Sequence, residues 1–344
     1  MDRRMTARSS GVSIGQSTVS EIFRGMHMPG GLPLPGRPSS TKELGGSLCM
    51  YKTVMSLALA LGALSSGAAQ AQERPADGHD SSIVVEGSKQ GPRKESRTFV
   101  RRIVTTTKDQ LARFNDPVCP VVVGLPPAYA KAVIKRFRAV SVEAGARVDG
   151  DEKCHPNIFV IIAADAGKII TELREKYHGF FNDLAYDDKR TALDDGPVRA
   201  WRVTEELDQT GRPGAGGGDG PRSFSGVDPG SRISMSTQQS AFGAVVVMDV
   251  GVVEEKTVGQ IADYVAMRVL AGARPPRAGA RFETILSLFD TDGDVPQGLT
   301  EVDRSFLKGI YGMQANGRLG SQVGTIADQI LRDGERAETP KKGN

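Results

Sequence analysis

Apolar positions recur along this chain in two rhythms, and the alternation between them marks out a folded region. "DPVCPVVVGLP" is an unbroken apolar run between turn residues, the pattern of a buried strand. Pro126 and Pro127 follow and suit the first turn of a helix. Tyr129, Val133, Phe137, Val140 and Ala144 then fall three and four apart, one stripe of a helix that Gly145 ends. Lys131, Lys135 and Arg138 take the opposite side, a solvated face rather than a nucleic-acid patch. "PNIFVII" predicts the next strand, so the stretch reads strand–helix–strand.

A helix from about Ala166 to Tyr177 comes next, with Ile169, Ile170 and Leu173 inward. "PVRAWRVTEEL" alternates Val198, Ala200 and Arg202 against Arg199, Trp201 and Val203; it predicts a strand and leaves its inner face open. "QTGRPGAGGGDGPRSFSG" breaks all periodicity. It predicts a loop and not a phosphate cradle, because no Lys-Ser/Thr follows the glycines and no strand and helix bracket them. "RISMST" and "GAVVVMDV" predict two further strands, able to pair. The last third is helical. Thr257 caps a helix carrying Val258, Ile261, Ala262, Val265 and Val269, and "ARFETILSLF" predicts a second. Thr300 with Asp303 makes a capping-box start for a third, holding Phe306, Leu307 and Ile310. Val323, Ile326, Ala327, Ile330 and Leu331 form the stripe of a fourth. The elements predict an α+β fold, a mixed sheet with packed helices and a C-terminal helical layer. It forms a single domain over residues 99–336, with 337–344 a disordered tail.

The region upstream changes where such a domain would work. "MYKTVMSLALALGALSSGAAQAQERPA" offers Lys52, an apolar stretch from Val54 to Leu64, and small residues ending Ala69-Gln70-Ala71. Residues 50–71 thus read as a secretory signal, cleaved before Gln72, with no transmembrane segment left after cleavage. Residues 1–49 are rich in Gly, Pro, Ser and Arg without apolar periodicity. They read as a non-native upstream extension with Met50 the true start, or as an unusually long leading region; neither folds. Residues 72–98 are charged and Gly/Ser-rich, a disordered tether. The expected location is the periplasm or outside the cell. A net charge of +3 on 344 residues gives no argument for nucleic acid or an anionic membrane as partner.

Of three cysteines, Cys49 would be lost with the leader, leaving Cys119 and Cys154. An even count in an oxidising compartment favours a disulfide, worth about 4 kcal/mol for a loop of this length. His155 beside Cys154 makes a Cys/His metal site the alternative, although two or three ligands without a C-x-x-C pair make a poor zinc site.

"LFDTDGDVPQGLTEVD" places Asp290, Asp292, Asp294 and Glu301 at positions one, three, five and twelve of a calcium-loop pattern. Position six must be Gly for the sharp turn, and here it is Val295, followed by Pro296 and Gln297. The acids read as a decoy that decorates a solvated turn pivoting on Gly293. Nor is there a G-x-S-x-G elbow, and the mature chain offers only His79, His155 and His178 to any triad. No cofactor and no metal are expected.

The ordering "TVGQIADYVAMRVLA", "TILSLFD", "GLTEVDRSFLKGIYG" and a final amphipathic helix, over about residues 245–331, resembles a proteobacterial family of secreted proteins and lipoproteins of unknown function. That family is itself similar to zinc metallopeptidases. The resemblance implies a zincin-like shell with its metal site on the helix from Thr257 to Ala271. This copy has no His or Glu between Val258 and Ala271 and no His after His178, whereas zinc hydrolysis needs two imidazoles and a general base. Gln260, Asp263 and Tyr264 fall at helical neighbour spacings and would either line a remnant cleft or make ordinary solvent contacts and helix-end hydrogen bonds.

With no workable catalytic constellation, the chain reads as an exported non-enzymatic protein, a pseudoenzyme that binds an unknown envelope or periplasmic partner. The alternative is a hydrolase drawing on His178, Asp183, Asp187 and Asp188. Intact mass of the mature protein with and without reductant tests the Cys119–Cys154 bridge: a gain of two hydrogens on reduction is expected, and two thiols already free in unreduced material would refute it.

Overall fold

The computed structural model describes residues 90–338 apart from 152, 178–179, 182–183, 185, 194–195, 216–222, 227, 277–281 and 291–294. The described residues belong to one compact unit. The proposed leader, signal and most of the tether fall outside them.

A five-stranded mixed sheet is built around one strand. This strand, β5 (Thr237–Asp249), pairs on one side antiparallel with β4 (Val198–Asp208), from Val198↔Met248 to Asp208↔Thr237, with a bulge at Val203/Thr204. On its other side it pairs parallel with β3 (Ile158–Ala163), Ile158↔Ala244 through Ala163↔Asp249, and with the short β1 (Arg113–Phe114). The outer parallel strand β2 (Pro120–Val123) completes the sheet beside β3. Every residue of β3 is buried, which is why its sequence is a continuous apolar run instead of an alternation.

Alternate side chains leave to opposite faces. Ile158, Val160 and Ile162 with Ala244, Val246 and Met248 enter the larger core. There they meet α1 (Gln90–Ile103), α2 (Pro127–Ala144), α6 (Val258–Leu270), α7 (Glu301–Gly312) and α8 (Leu319–Glu338). Phe159, Ile161, Val245 and Val247 enter a smaller core under α3 (Ala166–Lys176) and α4 (Tyr186–Leu193). A short α5 (Val250–Val253) links β5 to α6. The inner face of β4, open in the sequence, turns out to be both: Val198 and Ala200 serve the larger core, Trp201 and Val203 the smaller. Trp201 donates its indole N–H to the Phe180 carbonyl at 3.0 Å and stacks on Phe181, centroids 5.0 Å apart.

The strand–helix–strand unit is β2–α2–β3, with Pro127 opening α2 and Gly145 closing it at φ 90°. Cys119 and Cys154 are joined, Cα atoms 6.0 Å apart, tying the start of β2 to the approach to β3. Among the described residues no helix is long and apolar enough to cross a membrane.

Three expectations change. The stretch read as tether is helical from Gln90, because Ser96, Phe99, Val100 and Ile103 form a buried stripe behind a charged exterior. "RISMST" is no strand of its own. Its Ser234 bridges Gly317, and one 13-residue β5 starts at Thr237, with Gln238, Gln239 and Ser240 buried in it. "ARFETILSLF" gives a 3-10 turn, Ile285–Ser287, instead of a helix. Ile285, Leu286 and Leu288 are all buried, and so close a run of apolar residues suits a tight turn pressed into the core better than one helix face. Its backbone is also held from outside: the Asp303 carboxylate accepts from Ile285 N at 2.8 Å and from the Thr284 hydroxyl at 2.5 Å.

Helices α7 and α8 touch closely at Gly309, where an added Cβ would stand 2.8 Å from Ile326 Cα. Gly309→Ala should gain at most about 1 kcal/mol of helix propensity and lose roughly 1–3 kcal/mol to overpacking against backbone. We expect a melting temperature a few degrees lower. Gly334→Ala, in the same helix pair with nothing within 4 Å, should be neutral or stabilising in the same thermal-melt series.

Candidate functional site

Helix α6 is where the sequence concentrates its candidates. Thr257 caps it, accepting from Gln260 N at 3.2 Å, while Gln260 Oε1 accepts from Thr257 N at 3.0 Å; this reciprocal box fixes the first turn. Every residue from Gln260 to Leu270 is buried, polar ones included.

The three remnant-cleft candidates are therefore buried instead of solvated, and Gln260 makes helix-end hydrogen bonds in the cap. Gln260 uses its remaining amide to donate to the Pro296 carbonyl at 2.8 Å. Asp263, 1 % exposed, accepts from Arg136 Nε at 2.7 Å, Arg136 Nη2 at 2.9 Å and Leu299 N at 2.9 Å. The hydrogen bond to Asp263 holds the Arg136 guanidinium above its usual range, against partial burial. Gly298 lets this happen, since a Cβ there would crowd Asp263 Oδ2 at 2.9 Å. Tyr264 accepts from Arg268 Nη1 at 2.7 Å, and its ring meets Phe289 edge-on, centroids 4.8 Å apart. Arg268 also lies over that ring, 5.6 Å from its centroid, and donates to the Ala200 carbonyl of β4.

One turn further out, Gln260 lies at the border of an open cleft of about 530 Å³, lined also by Glu254, Glu255, Lys256, Thr257, Val295 and Gln297. Glu254 and Glu255 are exposed at its rim. The cleft combines two acids, one ammonium and the capped end of α6, a polar mixture able to hold a ligand by hydrogen bonds. Its two carboxylates are exposed, and its one buried hydroxyl among the named lining residues, that of Thr257, is taken up in the helix cap.

The calcium-like loop borders the same place. Asp292 and Asp294 lie outside the described residues; Asp290 and Glu301 are exposed, Glu301 as the first residue of α7. In a calcium loop the seventh position turns its backbone carbonyl onto the ion. Here that residue is Pro296, whose carbonyl accepts from Gln260, and Leu299 N is bound to Asp263. The segment lashes α7 to α6. Asp303 tightens the lashing, accepting from Thr300 N at 3.0 Å as well as from the 3-10 turn. Burial pushes its carboxyl above the usual carboxylate range, opposed by those hydrogen bonds.

Of the hydrolase candidates, His178 and Asp183 lie outside the described residues. Asp187 and Asp188 are in α4, with their side chains outside the description. His155 is exposed beside Cys154, whose sulfur is in the disulfide and accepts from Arg138 at 3.5 Å. Among the described residues no group of three or more His, Cys, Asp and Glu is placed to hold a metal ion. Sequence reasoning missed Arg136, which a spacing argument cannot connect to a residue on another helix; the Glu254-Glu255 pair is visible in the sequence, its place at a cleft is not.

Comparison with protein families, curated proteins and solved structures found no match to this chain.

The Asp263 arrangement makes a graded prediction. Asp263→Ala strands Leu299 N–H and an arginine that is partly wetted, at a cost of about 2–4 kcal/mol, or roughly 5–12 °C in melting temperature. Asp263→Asn keeps one acceptor and the shape, and should lose less. Equal losses in chemical denaturation would show that the charge carries the whole interaction, and an Asp263→Asn variant as stable as the parent would show that it contributes nothing.

Proposed function

We propose that this chain is an exported, non-enzymatic protein that acts by binding in the periplasm or at the envelope, on a metal-free shell of the kind the family resemblance implies. One observation carries the reading. The acid, amide and phenol on α6, where a working peptidase relative would hold its reactive groups, are consumed by structural bonds to Arg136, Leu299, Pro296, Thr257 and Arg268. A carboxylate already accepting three hydrogen bonds in the core has no freedom to take a proton from a water or ligate a metal without unpicking the helices around it. The polar cleft at the head of α6 stays open and offers recognition groups. The disulfide is in keeping with an oxidising compartment.

The test is turnover. The mature, oxidised protein incubated with peptide, ester, phosphate and glycoside substrates, metal-free and with added zinc, should give rates indistinguishable from buffer. Hydrolysis lost in His178→Ala or Asp187→Asn/Asp188→Asn would replace this reading with that of a hydrolase.

A further inference from the structure

A second cleft, of about 360 Å³, lies away from α6, along helix α1. Lys94, Glu95, Thr98, Phe99 and Arg102 contribute from the helix, and Pro276 and Phe282 from elsewhere in the chain. The helical positions from Gly91 to Arg102 repeat at three and four, so the cleft follows one stripe for about 16 Å. Its floor is aromatic: Phe99 and Phe282 meet with centroids 4.9 Å apart at 54°. Thr98 spends its hydroxyl proton on the Lys94 carbonyl at 2.8 Å. The lining thus sets an apolar floor among two cations, Lys94 and Arg102, and the carboxylate of Glu95.

Those cations are part of a local excess. Helix α1 carries Arg93, Lys94, Arg97, Arg101 and Arg102 against Glu95 alone, in a chain whose net charge is only +3. Arg93 is committed to Asp328 of α8 at 2.8 Å. Among the described residues, neither Lys94 nor Arg102 forms an ion pair. Small-molecule sites pair an apolar lining of this size with a few convergent charges, and flat membrane-binding faces do not need the concavity. Long cationic side chains flanking an aromatic floor suit a ligand whose apolar body ends in a negative group.

We infer that the α1 cleft binds a single-chain anionic amphiphile, an acyl or alkyl body with a carboxylate or phosphate head, with Phe99 and Phe282 against the body and Lys94 and Arg102 at the head. The inference rests on the binding-protein reading and supplies it with a ligand class.

Titration calorimetry on the mature, disulfide-intact chain tests it, with decanoate, decyl phosphate, decanol and decyltrimethylammonium, each kept below micelle formation. Decanoate and decyl phosphate should bind saturably at one per chain, the two heads distinguishing carboxylate from phosphate sources. Decanol should bind at least roughly tenfold more weakly, and the alkylammonium not at all. Lys94→Glu/Arg102→Glu, on exposed positions, should weaken decanoate by roughly tenfold or more with an unchanged melting temperature; Lys94→Gln/Arg102→Gln serves if the first variant folds poorly. The inference is overturned by no saturable binding of either anion, by decanol binding equally well, by wild-type affinity in a folded double variant, or by binding confined to phosphatidylglycerol vesicles. Silence with all four amphiphiles but no turnover in the substrate panel removes this ligand class and leaves the binding reading standing. Turnover there removes the reading itself.

Discussion

The buried carboxylate of Asp263 is the joint on which the C-terminal layer turns. It sits on the most enclosed helix of the domain and reaches α2 through Arg136 and the entry to α7 through Leu299 N–H. A charge so deep is costly unless its partners are near ideal, and here both guanidinium contacts and the amide are within 2.9 Å. Such a group contributes direction more than raw stability. Apolar packing alone would let α2, α6 and α7 slide against one another, and a forked ion pair with a backbone amide admits one register.

The same device recurs nearby. Asp303 joins its own helix cap to the 3-10 turn, and Arg202, 2 % exposed, donates to the Ala112 carbonyl at 2.8 Å and the Thr105 hydroxyl at 3.2 Å. Gly272, at φ 60°, lies so close that any Cβ would collide with the guanidinium. These groups connect irregular segments, which have no ladder of their own, to regular ones. The domain thus handles its loops by burying polar anchors beside them.

How much was legible follows from the range of each interaction. The two helix caps at Thr257 and Thr300 and the β2–α2–β3 unit rest on neighbours in sequence, and they read directly. The disulfide was readable because the compartment expected from the leader and the cysteine count constrain it together. Helix α1 was obscured by its exposed charges and by Gly91 and Pro92, since its apolar side acquires meaning only once α8 is there to cover it. The first turns of β5 were hidden because Gln238 and Gln239 are polar yet buried, Gln238 donating to the Asp208 carbonyl of the neighbouring strand's end. At the candidate site, the spacing of Gln260, Asp263 and Tyr264 was legible, but what they bond to depends on Arg136, Pro296 and Arg268. Of those only Arg268 shares their helix, and pairing across the fold leaves no periodic trace.

The position of β5 bears on how the chain acquires its structure. The strand that every other part of the sheet needs, except the β2–β3 pair, is supplied more than a hundred residues after β2, and α6, α7 and α8 of the larger core come later still. Loop-closure entropy must be met before those parallel pairings return anything, so collapse to the native arrangement waits for most of the chain. Folding from the N-terminus would halt at a two-stranded fragment too small to persist. A polypeptide ordered this way completes its sheet only after β5 has been made, so its first half depends on its second for a partner.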